Sequence, residues 1–95
     1  MAYAVIHTFK GATKEQYDNA VAAVHPKDGS LPAGQTFHVA GIADGDLVVV
    51  AVFDSEAAWE SFRDGTLMPG LATAENGPEG PPEQVSFEAH NLQTA

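Results

Sequence analysis

Four histidines, at positions 7, 25, 38 and 90, are the side chains of this 95-residue sequence best suited to moving protons near neutral pH. Three lie in apolar, alternating runs: His7 in "MAYAVIHTFKG", His38 in "QTFHVAGI" and His90 in "QVSFEAHNL". An imidazole among apolar neighbours can take a proton from an activated carbon or a phenol, and a second imidazole or a tyrosine can hold the charge that results. His38 and His90 are therefore the candidate catalytic pair. His7, Tyr3, Glu88, Val49 and Phe53 are the candidate substrate contacts. His7, His38, His90 and Glu88 also have the donor types of a zinc or iron site, but they come from separate strands with no local i, i+4 pair, and no metal is assigned to them. His25 precedes Pro26 at the end of a helical pattern and is read as a surface residue.

The elements that must position these groups follow from periodicity. Residues 2–9 are β-favouring and close at Gly11. Thr13 with Gln16 forms a capping-box pattern, and Tyr17, Ala20, Val21 and Val24 recur at helical spacing. After the loop "PKDGSLPAG", two strands flank "ADGD", whose Asp44-Gly45 pair predicts a tight hairpin with Ile42 opposite Leu47 and His38 opposite Ala51. Ser55 predicts the cap of a second helix, with Trp59 and Phe62 facing inward and Arg63 near its end before Gly65. "TLMPGLATAENG" suggests a further short helical segment. A fourth strand follows the loop "GPEGPPE", with Val85, Phe87 and Ala89 on one face and Ser86, Glu88, His90 and Leu92 on the other.

The order β-α-β-β-α-β predicts a single α+β domain over residues 1–95. It is the ferredoxin-like split βαβ, a four-stranded antiparallel sheet with both helices on one face. The other face is left bare. The expectation is that the bare face carries His38, Ile42, Leu47, Val49 and Phe53, with His90 and Glu88 from the fourth strand and Tyr3 and His7 from the first. A face so apolar calls for a cover. A second copy related by a twofold axis would close the two sheets into an α/β barrel, a homodimer with the histidines inside an apolar small-molecule pocket.

Composition narrows the classes of function. The net charge is −9, with Lys10, Lys14, Lys27 and Arg63 as the only cations, which offers no basic stripe for nucleic acid and no attraction to an anionic membrane. No segment approaches the length of a membrane span. The N-terminal run lacks the basic region of a signal peptide, so a cytoplasmic protein is expected. Without cysteine there is no disulfide, thiolate nucleophile or Cys-ligated metal, and no G-x-G-x-x-G pattern points to a dinucleotide cofactor.

The segments "FHVAGIADGDLVVVAVFDSEAAWESF", "LMPGL" and "FEAHN" together resemble small actinobacterial-type members of the dimeric α/β-barrel superfamily, the antibiotic-biosynthesis-monooxygenase-like proteins. The resemblance spans nearly the whole chain. It implies a ferredoxin-like domain that dimerises and a pocket lined from the barrel-facing strands. For function it implies cofactor-independent oxygenase, polyketide cyclase, isomerase or haem-handling chemistry. Haem-degrading relatives present a histidine from the helical region after the third strand, and residues 55–84 contain none. The expectation is therefore cofactor-independent acid–base chemistry, monooxygenase-like or cyclase-like, on an aromatic or polyketide-like molecule. The alternative is a non-catalytic ligand-binding or structural dimer.

Overall fold

The computed structural model describes residues 1–95. The elements are β1 (Tyr3–Phe9), α1 (Lys14–Val24), β2 (Gln35–Ala43), β3 (Asp46–Phe53), α2 (Glu56–Phe62), a π-helical turn (Arg63–Leu67), α3 (Met68–Thr73) and β4 (Glu83–Glu88). The strands form one antiparallel sheet in the order β2-β3-β1-β4. β3 and β1 are central, β2 and β4 are the edges, β2 and β3 form the hairpin, and helical crossovers join β1 to β2 and β3 to β4, which is the split βαβ arrangement.

Local chemistry sets the element boundaries. At the start of α1 the Thr13 hydroxyl accepts from the Gln16 amide at 3.1 Å while the Gln16 side chain accepts from the Thr13 amide at 2.9 Å, so two otherwise unpaired helix donors are satisfied reciprocally. His25 ends the helix in an extended conformation before Pro26. Asp44 and Gly45 adopt positive φ, 52° and 82°, as a tight hairpin turn requires. The resulting register pairs Ile42 with Leu47 and His38 with Ala51, as the sequence predicts. Ser55 caps α2 by accepting from the Ala58 amide at 3.1 Å.

One sequence expectation is reversed. The face carrying His38, Leu47, Val49 and Phe53 is the one beneath the helices, and the bare face is its opposite. Phe53 is completely buried, packed with Val5, Val24, Trp59 and Phe62, and Leu47 is buried as well. Phe37, Val39, Val85 and Phe87, each about half exposed or more, occupy the other side with Ile6, Val48 and Val50. Both faces are apolar enough to be buried, so alternation defines two sets without saying which meets the helices. The two-residue link from Phe53 to α2 decides it, because so short a connection brings Trp59 directly over Phe53, ring centroids 5.5 Å apart. The pairing of His7 with His38 on one face does follow from the register, since His7 lies opposite Val49 and His38 opposite Ala51.

Two further departures shape what lies under the helices. A β-bulge between Gln35 and Phe37 inserts Thr36 without a partner, pairing Gln35 with Phe53 and Phe37 with Val52. Gln35 is thereby turned to the helix side, where it is buried. At the other end, the helical backbone does not stop at Gly65. Met68 donates its amide to the Arg63 carbonyl five residues back, and this wide turn carries the chain into α3 just before Pro69, which has no amide to donate.

Candidate functional site

Between the sheet and the helices is a cavity of about 70 Å³. Fourteen of its nineteen lining residues are apolar, and the other five are His7, Tyr17, His25, Gln35 and His38, so none carries a carboxylate, ammonium or guanidinium. The floor is β1, β2 and β3, including Val49 and Phe53. The roof is α1 with Trp59 and Phe62 of α2, and Leu67 and Leu71 close one side.

His38 is held at both nitrogens. Nδ1 is 2.8 Å from Gln35 Oε1 and Nε2 is 2.6 Å from the Tyr17 hydroxyl. Because a carbonyl oxygen only accepts, Nδ1 carries the ring proton, and Nε2 is left as the acceptor of the Tyr17 O–H. The His25 ring stands edge-on to His38 with centroids 4.8 Å apart. Burial pushes the His38 imidazolium pKa down, and the neighbouring His25 lowers it further by like-charge repulsion. Burial also lowers that of His25. Tyr17 moves the other way: burial, then the nearby Asp18 carboxylate, raises its phenol. All three side chains are therefore held in their neutral forms.

His7 occupies a second polar position, on β1. Its Nε2 donates to Gln84 Oε1 at 2.9 Å, leaving Nδ1 as an acceptor, and its ring is 5.6 Å from that of Trp59. Burial lowers its pKa, partly offset by the Gln84 hydrogen bond.

Several expected pocket residues lie elsewhere. β4 ends at Glu88 because its partner β1 begins at Tyr3, the residue opposite, and only the Ala89 amide reaches further, to the Ala2 carbonyl at 2.8 Å. His90 is thus beyond the sheet, exposed, and outside the lining of the cavity that holds His38. Glu88 is exposed on the outermost strand, outside the cavity. Tyr3 faces the helices but lies outside the lining, and its hydroxyl donates to Ser86 Oγ at 3.0 Å. The trio His7, His38 and His90 consequently does not converge, and no group of three or more His, Cys, Asp or Glu side chains is arranged to hold a metal ion.

Three cavity residues were not singled out as site residues in the sequence. Tyr17 belongs to the inward stripe of α1 and is indistinguishable there from core. His25, read as a surface residue, is folded over His38 by the turn before Pro26. Gln35 is brought to the cavity by a bulge that no sequence pattern announces.

No family model matches the chain, and no curated protein matches it either. Two solved structures share its fold. The structure of Rv0793 from Mycobacterium tuberculosis superposes with a TM-score of 0.73 over 99% of this chain and 100% of that one, at 16% identity. A protein of Chloroflexus aurantiacus J-10-fl described as "putative Antibiotic biosynthesis monooxygenase" superposes with a TM-score of 0.68 over 99% of this chain and 98% of that one, at 10% identity. These likenesses establish the architecture, the one the sequence resemblance implies. No helix is long and apolar enough to cross a membrane.

Proposed function

We propose that the chain is a small-molecule enzyme performing cofactor-independent acid–base chemistry in the cavity beneath its helices, on a small, neutral, aromatic or polyketide-like substrate. The observation that carries this reading is the conjunction of neutral imidazoles with a lining that has no charged side chain. A neutral imidazole is the form that accepts a proton, and an apolar wall favours a neutral ring system over a carboxylate or phosphate.

In the monooxygenase-like form, loss of a proton from an activated CH2 yields a stabilised carbanion that reacts with molecular oxygen. One oxygen atom remains as a new carbonyl and the other leaves as water, the two C–H bonds supplying the four electrons. In the cyclase-like form the same carbanion would attack a carbonyl of the substrate instead. The similarity of fold to a protein described as a monooxygenase supports placing the oxygenase form first.

We also infer a homodimer, in which the bare faces bearing Phe37, Val39, Val85 and Phe87 cover one another. The cavity does not lie between those faces, so each protomer would hold its own.

Anthrone, a neutral tricycle with one activated CH2, provides the test, and its entry requires the helices to part from the sheet because the cavity of about 70 Å³ is smaller than the molecule. Oxygen uptake and quinone absorbance should rise in proportion to protein and fall in the His38→Gln variant. Anthrone binding with no uptake above buffer would instead favour a ligand-binding protein. One observation speaks for that second reading: both nitrogens of His38 already have partners.

A further inference from the structure

The doubly bonded state of His38 raises the question of how it could act at all. With Nδ1–H committed to Gln35 and the Nε2 lone pair committed to Tyr17, the imidazole has no free nitrogen to offer a molecule in the cavity. Tyr17 is differently placed. Its hydroxyl donates to His38 and makes no other hydrogen bond, so oxygen lone pairs remain available, and Tyr17 itself lines the cavity. Gln35 is buried on the same bulged strand as His38 and lines the cavity beside it.

We propose that Tyr17 is the catalytic residue that meets the substrate, and that His38, oriented by Gln35, is a positioning residue that draws the proton through it. This rests on the acid–base reading of the cavity. In the step, the substrate X–H proton passes to the Tyr17 oxygen as the Tyr17 proton passes to His38 Nε2. The electron pair of the X–H bond stays on the substrate as an anion. Tyr17 ends neutral, and His38 ends as an imidazolium whose Nδ1–H still donates to Gln35. No free tyrosinate need form, which matters because burial makes that anion costly. Burial, and after it the His25 ring against His38, makes solution protonation of His38 harder, so the pair enters the reaction with Nε2 unprotonated and accepting from Tyr17.

The test uses the intact protein and 5-nitrobenzisoxazole, a small neutral bicycle. A base removes its C3 proton, the N–O bond breaks, and the coloured cyanophenolate forms with no oxidant or cofactor. Wild-type protein should accelerate ring opening above buffer, and Tyr17→Phe should remove about 100-fold of that acceleration while leaving the probe's binding unchanged by calorimetry. His38→Gln should cost as much, and the double variant no more than either, because the two act as one unit. The pH profile of the wild type should follow His38 titration, measured by 15N NMR of the imidazole nitrogens. That spectrum should also show the Nδ1–H tautomer in the free protein, with the Nε2 signal displaced by Tyr17→Phe.

A Tyr17→Phe rate equal to or above wild type would overturn the relay and make His38 the direct base, with Tyr17 merely covering it. An Nε2–H tautomer for His38 would overturn it without any substrate. Probe binding with no acceleration in wild type would overturn the acid–base reading itself, and the relay with it. Retained heteronuclear spectra for Tyr17→Phe separate each result from misfolding, and His38→Asn provides a second, smaller replacement if His38→Gln does not fold.

Discussion

Gln35 and His38 are three positions apart on β2, yet they face the same side of the sheet, and His38 Nδ1 donates to Gln35 Oε1 across 2.8 Å. In an unbroken strand, residues three apart point to opposite faces. The bulge at Thr36 cancels that alternation and supplies the imidazole with a buried acceptor. A neutral amide in that position fixes the ring's tautomer without charging it.

Replacing this amide by a carboxylate changes the balance. In Gln35→Glu an anion would sit against Nδ1–H and favour the imidazolium. His38 should then titrate at a higher pH than in wild type, as read from its ring NMR shifts. An unchanged or lower midpoint would mean that Gln35 does not control this ring.

Acid should weaken the fold over the histidine range. His7, His25 and His38 all have pKa values lowered below 6.5 in the folded chain, burial being the main cause. The unfolded chain therefore binds more protons between the folded values and 6.5. Stability from this source is complete above about pH 6.5 and is lost as pH falls through the folded values. Urea midpoints measured from pH 7.5 to 5 should fall, and a flat or rising series would contradict the burial of these rings. The lowered carboxylates Asp28, Asp46 and Asp64 act only at more acidic pH.

Gly70 and Gly65 make a paired test of the helical segment after β3. A Cβ on Gly70 would lie 2.5 Å from Val24 Cγ1 and 3.2 Å from the Ala23 carbonyl oxygen, so α3 approaches α1 closely there. Gly70→Ala should cost about 1–3 kcal/mol through overpacking. Gly65 in the π-helical turn has open space around it, and Gly65→Ala should be neutral or stabilise by up to about 1 kcal/mol. Thermal or urea unfolding of the two variants decides the matter, and equal effects would refute the close approach.

The bare sheet face yields a prediction independent of the chemistry. Val85→Asp with Phe87→Lys should convert a dimer into monomers in sedimentation equilibrium while 5-nitrobenzisoxazole binding persists, because neither residue lines the cavity. Wild-type monomers at micromolar concentration would sink the proposed pairing.

Most of the architecture was legible because it rests on short-range signals. The capping box at Thr13 and Gln16, the Asp44-Gly45 turn and the hairpin register each depend on residues close in sequence. What could not be read depends on which surfaces meet. Phe53 and Phe37 are both large and apolar, and only the docking of Trp59 distinguishes their faces. The sequence marks His38 and His7 as site candidates, whereas Tyr17 has the same pattern as any helix residue on an inward stripe. Gln35 required a backbone irregularity, and His90 was misplaced because the length of β4 is limited by where β1 begins.

Trp59, the only tryptophan in the chain, is almost wholly buried in the cavity roof and lies beside the His7 ring. Its emission consequently comes from one environment, and the ring 5.6 Å away is an imidazole whose charged form quenches indoles. The protein thus carries an optical gauge of its own interior: a fall in intensity on acidification would mark His7 taking a proton, and a spectral shift at constant pH would mark a molecule entering beneath the helices.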